Sequence, residues 1–259
     1  MNLNRPFVLA GNVFREVVRD RILYIIGIYA LILAVAMRLL PELAASTEAK
    51  MFPDFSLAAM SALGTIVAIF VGTSLVNKEI EKRTILMLIA KPVSRAEFIC
   101  GKFLGLSAVL AVLVVAMTGI FLGFMQLAKI SYSIQSIAIA SLFLILQLCL
   151  IAAVSITLSV FTSSLLATAL TFGVYLMGNI TQDLLKLGNL SQNPGIERIT
   201  RGLFLVLPDL SRLDLKNQAV YGMKALPSSI ALLSNAGYGL LYSAMLIAIA
   251  ILIFSKREF

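Results

Sequence analysis

SYSIQSIAIASLFLILQLCLIAAVSITLSVFTSSLLATALTFGVYLMGNITQ, residues 131–182, is a run of 52 residues without one Asp, Glu, Lys, Arg or His. As a single α-helix it would measure about 80 Å, against a bilayer hydrocarbon core of about 30 Å, so the run crosses a membrane and turns back. The polar cluster Phe161-Thr162-Ser163-Ser164 is the natural break. An ionised side chain at the bilayer centre costs at least ~2.5 kcal/mol, so other charge-free gaps mark further spans. They lie between Arg21 and Arg38, Asp54 and Lys78, Lys102 and Lys129, and Lys224 and Lys256. The expected fold is all-α and polytopic, with six transmembrane helices at 22–40, 57–76, 103–127, 137–160, 165–180 and 236–254. Arg38 lies near the end of the first, where its side chain can snorkel to the headgroups.

The composition agrees. Of 259 residues, 60% are hydrophobic and 13% charged, about half the charge of an ordinary soluble domain. The surplus apolar surface faces lipid. A net charge of +8 raises the question of nucleic acid, but the Lys and Arg residues sit in short islands between apolar runs. That is the pattern of membrane topology, and no nucleic-acid partner is expected. Histidine is absent, and Cys100 and Cys149 stand alone. Zinc sites and Ser-His or Cys-His catalytic groups are therefore excluded, and each cysteine reads as a small packing residue.

An even number of spans puts both termini on one face. That face holds Arg5, Arg15, Arg19 and Arg21, then Lys78, Lys82, Arg83, Lys91, Arg95 and Lys102, then Lys256 and Arg257. The positive-inside rule makes it cytoplasmic, in the cell's inner (plasma) membrane. A signal peptide is the competing reading of the N-terminus, with Ala44-Ala45-Ser46 faintly like a cleavage site. Residues 1–21 instead read as an interfacial amphipathic helix, with Phe7, Ala10, Gly11, Phe14, Val17 and Val18 opposite Asn12, Arg15, Glu16 and Arg19. Gly119 and Gly123 form a GxxxG step, read as helix packing.

Between spans two and three lies NKEIEKRTILMLIAKPVSRAEFICGK, residues 77–102. Glu79 precedes Lys82 and Arg83 at helical spacing, and Ile80, Thr84 and Leu88 share another face. Pro92 disfavours helix at Lys91 and ends that element. Ser94-Arg95-Ala96-Glu97 fits a capping box, with Val93 and Phe98 at the staple positions, so a new helix starts at Arg95 and runs into span three. A capped, basic helix pair results. On charge alone it could equally anchor the loop to anionic headgroups.

The run Thr84-Ile85-Leu86-Met87-Leu88, then Lys91-Pro92-Val93-Ser94-Arg95 and Gly101-Lys102, resembles the ABC-2-type permease family. It is most similar to the branch with permeases of gliding motility and nitrous oxide reductase maturation. Pro208-Asp209-Leu210-Ser211-Arg212 is also similar to that branch, while Arg83 stands where many relatives have Gly. The resemblance implies a single transmembrane permease domain over 1–259, with a coupling region at 77–102 and an extracytoplasmic loop at 181–230 before the last span. It further implies a complex of two permeases, a second copy or a paralogue, with two separate ABC ATP-binding subunits. Glu79, Glu81, Lys82, Arg83, Thr84, Lys91, Pro92, Val93, Ser94 and Arg95 would then couple to the ATPase. In the family the pathway runs between spans two and five, which makes Thr65, Thr73, Tyr175 and Asn179 its lining candidates.

No G-x-x-x-x-G-K-[ST] occurs in the chain, so a phosphate loop is not expected and ATP and Mg would be bound by the partner. The spans lack interior acids and bases, which argues against proton- or sodium-coupled transport. The expectation is a non-catalytic subunit of an ATP-driven exporter. Two alternatives stand beside it. One is an ATPase-coupled subunit doing mechanical work on an extracytoplasmic partner, and the other is an ATP-independent carrier or scaffold. Membrane lipid is a partner in every case.

Overall fold

The computed structural model describes residues 4–17, 22–44, 48–81, 94–190 and 194–256. These fold into α1 (Asn4–Val17), α2 (Leu23–Ala44), α3 (Glu48–Glu81), α4 (Arg95–Leu127), α5 (Ile134–Phe161), α6 (Ser164–Leu190), α7 (Pro194–Val206), α8 (Lys216–Val220) and α9 (Ser229–Lys256), with 3-10 turns at Leu210–Arg212 and Met223–Ala225. No strand occurs among the described residues. Six of the helices, α2 to α6 and α9, are long and apolar enough to cross a membrane. Each contains one span expected from the charge-free gaps. The break falls where the polar cluster placed it: α5 stops at Phe161, Thr162 is extended, and α6 starts at Ser164.

α5 is the core of the bundle. Some 67% of its apolar window is buried, against 17% for α2 and 22% for α6, so those two helices turn most of their surface to whatever surrounds the chain. Small residues let the neighbours close on α5. A Cβ added at Gly72 of α3 would lie 1.9 Å from Ser155 Oγ, so only glycine fits there. The hydroxyls at this contact are satisfied by backbone: Ser155 donates to Ala152 O and Ser159 to Ser155 O, as polar groups inside a bundle must be. Thr157 donates to Ala153 O and also reaches Leu246 O of α9 at 3.1 Å.

One expectation is corrected here. A Cβ added at Gly119 or Gly123 would meet nothing within 4 Å, so this GxxxG step faces away from the chain's own packing. The helix α1 buries Val17 and half-buries Ala10 and Phe14 of the apolar face read off the sequence. Phe7 and Gly11 are exposed, while Pro6, Val13 and Val17 are buried. The hydrophobic pattern around α1 is broad enough for either face to serve, and its tertiary neighbour α4 decides.

The stretch 181–230, expected as the loop before the last span, is largely folded. α6 continues to Leu190, ten residues past the expected end of span five, because Asp183 and Lys186 pair on its exposed surface rather than stopping the helix. After α7, a polar knot forms around Asp209, which is 2% exposed. Its carboxylate accepts from Gln182 of α6, from Ser211 and from Arg212, and its amide donates to Tyr238 Oη of α9 at 2.8 Å. The knot ties the segment before α9 to both α6 and α9.

α4 ends in a Schellman turn: Ile130 N–H donates to Met125 O and Lys129 N–H to Gln126 O, with Lys129 at φ +53°. A left-handed residue with a Cβ carries strain of about 1 kcal/mol. Lys129→Gly is expected to raise thermal stability in detergent slightly, by about 0.5 kcal/mol after the entropy of the glycine is set against that relief.

Candidate functional site at the junction of α3 and α4

The ends of α3 and α9 and the starts of α4 and α6 gather on one face of the bundle, as six alternating spans require. The root of the 77–102 segment is built here. Its sequence dictates the start of α4: Ser94 Oγ accepts from Glu97 N–H at 3.2 Å, and Glu97 Oε2 accepts from Ser94 N–H at 2.9 Å, which closes the expected capping box. Two of the amide groups left without partners at a helix start are thereby satisfied. Ser94→Ala is expected to lower thermal stability by about 1 kcal/mol.

Three clamps hold this root. The first joins α3 to α4. Lys102 Nζ donates to Glu79 Oε1 with the lysine side chain 8% and the glutamate 26% exposed, and the ammonium also lies 5.5 Å from the Phe98 ring centroid. The second joins α4 to α9. Arg95 Nη1 donates to the carbonyls of Phe254 and Ser255 at 2.9 and 2.8 Å. These carbonyls belong to the last turn of α9, which lacks intrahelical donors and carries the negative end of the helix dipole, so a guanidinium is stabilising there. Phe98 stacks on Phe254 beside it, with centroids 5.7 Å apart. The third joins α4 to α1. A Cβ added at Gly101 would lie 2.7 Å from Leu9 Cβ, and one at Gly105 would lie 2.7 Å from Val13 Cβ. The two glycines form the notch in which α1 sits.

Of the residues expected to couple to an ATPase, Glu79, Ser94 and Arg95 are therefore engaged within the chain. Glu81 is the last residue of α3, and its side chain lies outside the described residues. So do Lys82, Arg83, Thr84, Lys91, Pro92 and Val93, and with them the first helix of the expected pair. Sequence reasoning missed Lys102 and Gly105. The local features were visible, since Lys102 bounds the gap of span three and Gly101 and Gly105 stand four residues apart, but nothing in the sequence joins Lys102 to Glu79.

Of the four lining candidates, Thr73 and Tyr175 border separate cavities among the described residues. Thr73 borders a cavity of about 390 Å³ between α1, α3, α4 and α6, where its hydroxyl meets that of Thr168 at 3.0 Å. Tyr175 borders a crevice on the other side of α6, against Leu150 and Pro208. Thr65 and Asn179 border neither of these; Thr65 is buried, and Asn179 donates back to Tyr175 O at 2.8 Å. Among the described residues no group of three or more His, Cys, Asp or Glu is arranged to hold a metal ion.

A comparison with curated proteins returned no match. Comparison with protein families gives a match that runs nearly the full length, over residues 7–259, to the family described as ABC-2 family transporter protein. Six apolar helices and this match together make the chain a multi-pass membrane protein and a permease subunit of the ABC type, and the chain belongs to the ABC-2 transporter family.

Proposed function

We propose that this chain is the membrane-spanning subunit of an exporter driven by a separate ATP-binding protein, with the 77–102 segment as the lever. The observation that carries the reading is the threefold clamping of the lever's root. Glu79–Lys102, Arg95 on the end of α9, and α1 in the Gly101/Gly105 notch join four helices at one point. A displacement of the segment between Glu81 and Ser94 then moves α1, α3, α4 and α9 together, because packed interiors transmit strain rather than absorb it.

In this reading both termini and the lever face the cytoplasm, in the inner (plasma) membrane. Two permease chains, identical or paralogous, pair with two ATPases that hold ATP and Mg. Glu81, Lys82, Arg83, Thr84, Lys91, Pro92 and Val93 supply the contact surface, while Glu79, Ser94 and Arg95 pass the motion on. The double variant Lys82→Glu/Arg83→Glu is the test. Membrane insertion stays intact, and stimulation of the partner's ATP hydrolysis by the reconstituted permease falls at least about tenfold, as expected for reversing two charges at a contact. Undiminished stimulation would remove the lever from the account.

A second reading, mechanical work on an extracytoplasmic partner, is favoured by the folded segment between α6 and α9. There Tyr242 of α9 donates to Val206 O at the end of α7, and Ile199, Leu205 and Val206 are exposed. ATP-dependent movement of cargo across vesicles, without any outer partner, decides for the exporter.

A further inference from the structure

The cavity of about 390 Å³ at the junction face is lined by charged and polar groups beyond the Glu79–Lys102 clamp. Its floor is polar and uncharged: the bridged hydroxyls of Thr73 and Thr168, with Ser74 and Ser164 beside them. Among the described residues its charged lining is two acids, Glu16 and Glu79, and two bases, Lys78 and Lys102. Lys102 and Glu79 are paired with each other. Glu16 and Lys78 are exposed, and neither makes an ion pair with another described residue. The apolar part of the lining is Phe70, about two turns deeper along α3 than Lys78, and Leu165 at the start of α6, 60% and 84% exposed.

We infer that this cavity binds the headgroup of a zwitterionic phospholipid carrying a primary ammonium, of the phosphatidylethanolamine class. The depth fits, since Lys78 and Glu79 end the apolar stretch of α3 and so stand at headgroup level, with the acyl chains running along Phe70 and Leu165. The charge fits as well. A net anion gains from the lysines but meets two carboxylates, and a bare cation meets the reverse, whereas a zwitterion places phosphate at Lys78 and ammonium at Glu16. A primary ammonium has three N–H donors for the Glu16 carboxylate and the hydroxyl floor, and a choline group has none.

The measurement is native mass spectrometry of the full chain released from nanodiscs of defined lipid, with no nucleotide and no ATPase present, so its failure leaves the lever reading untouched. Wild-type protein retains one phosphatidylethanolamine about tenfold over phosphatidylglycerol or phosphatidylcholine, the discrimination of one charge-assisted hydrogen bond. Glu16→Lys, a surface change that leaves the packing intact, shifts retention to phosphatidylglycerol. Adding Lys78→Glu to it restores the zwitterion with its two charges exchanged. Equal retention of the three lipids by wild type, or an unchanged preference in Glu16→Lys, overturns the site. Displacement of the lipid by water-soluble glycerophosphoethanolamine would also overturn it, by showing that acyl chains take no part.

Discussion

Lys102→Met is expected to destabilise the protein by about 2 kcal/mol, because the methionine fills the lysine's volume but removes the charge that the partly buried Glu79 faces. An exposed ion pair would contribute at most about 1 kcal/mol. The lysine side chain here is 8% exposed, and charges are poorly screened when buried, so truncating one partner leaves the other to bear its desolvation. The diagnostic result is the rescue. Glu79→Gln in the Lys102→Met background recovers part of the loss, since it removes the charge left facing the methionine, and thermal unfolding in detergent gives the coupling energy of the cycle. A double variant no better than Lys102→Met alone would show the pair to be incidental.

The functional expectation for the same variants runs the other way. The stable double variant has lost the link between α3 and α4, so its ATPase stimulation stays low although its fold is restored. Stability and coupling then separate in one pair of proteins. That separation distinguishes a transmitting contact from a merely structural one.

What could be read from the sequence divides along the range of the interactions. The six spans were legible because desolvating a charge is so unfavourable that its absence over a long run has one explanation. The capping box at Ser94 and Glu97 was legible because both partners lie within one helical turn. Helix ends were less so: Asp183 and Lys186 look like a boundary, but at the membrane surface a charged turn can continue a helix as readily as end it. The clamps were not legible. Lys102 finds Glu79 across 23 residues and Arg95 finds Phe254 across 159, and neither pairing leaves a periodic trace. Which stripe of α1 packs inward was not legible for the same reason. Periodicity offered several apolar stripes, and the notch at Gly101 and Gly105 on another helix chose among them.

Asp209→Asn is expected to cost about 3 kcal/mol, the range for breaking a buried, charged hydrogen-bond network by removing its anion. The carboxylate only accepts, and three donors converge on it from Gln182, Ser211 and Arg212. An asparagine turns an amide NH₂ toward at least one of them, while Arg212, whose guanidinium lies 5.0 Å from the Tyr238 ring centroid, loses its counter-ion. Burial by itself would raise the carboxyl's pKa, but the hydrogen bonds from Ser211, Gln182 and Arg212 and the charge of Arg212 outweigh it, and the group is held below its ordinary value of about 3.8. A carboxylate whose folded value is depressed stabilises the fold above its unfolded pKa, and that contribution disappears as pH falls through the folded value. The stability gap between wild type and Asp209→Asn is therefore constant from neutral pH down to about 5 and closes only below the ordinary carboxylate range. Hydrogen exchange at residues 209–213 reports the loss locally, and it should rise in the variant at neutral pH while exchange in the α3–α5 core is unchanged. A gap that widens on acidification would show that Asp209 is held protonated, and the knot would then need a different account.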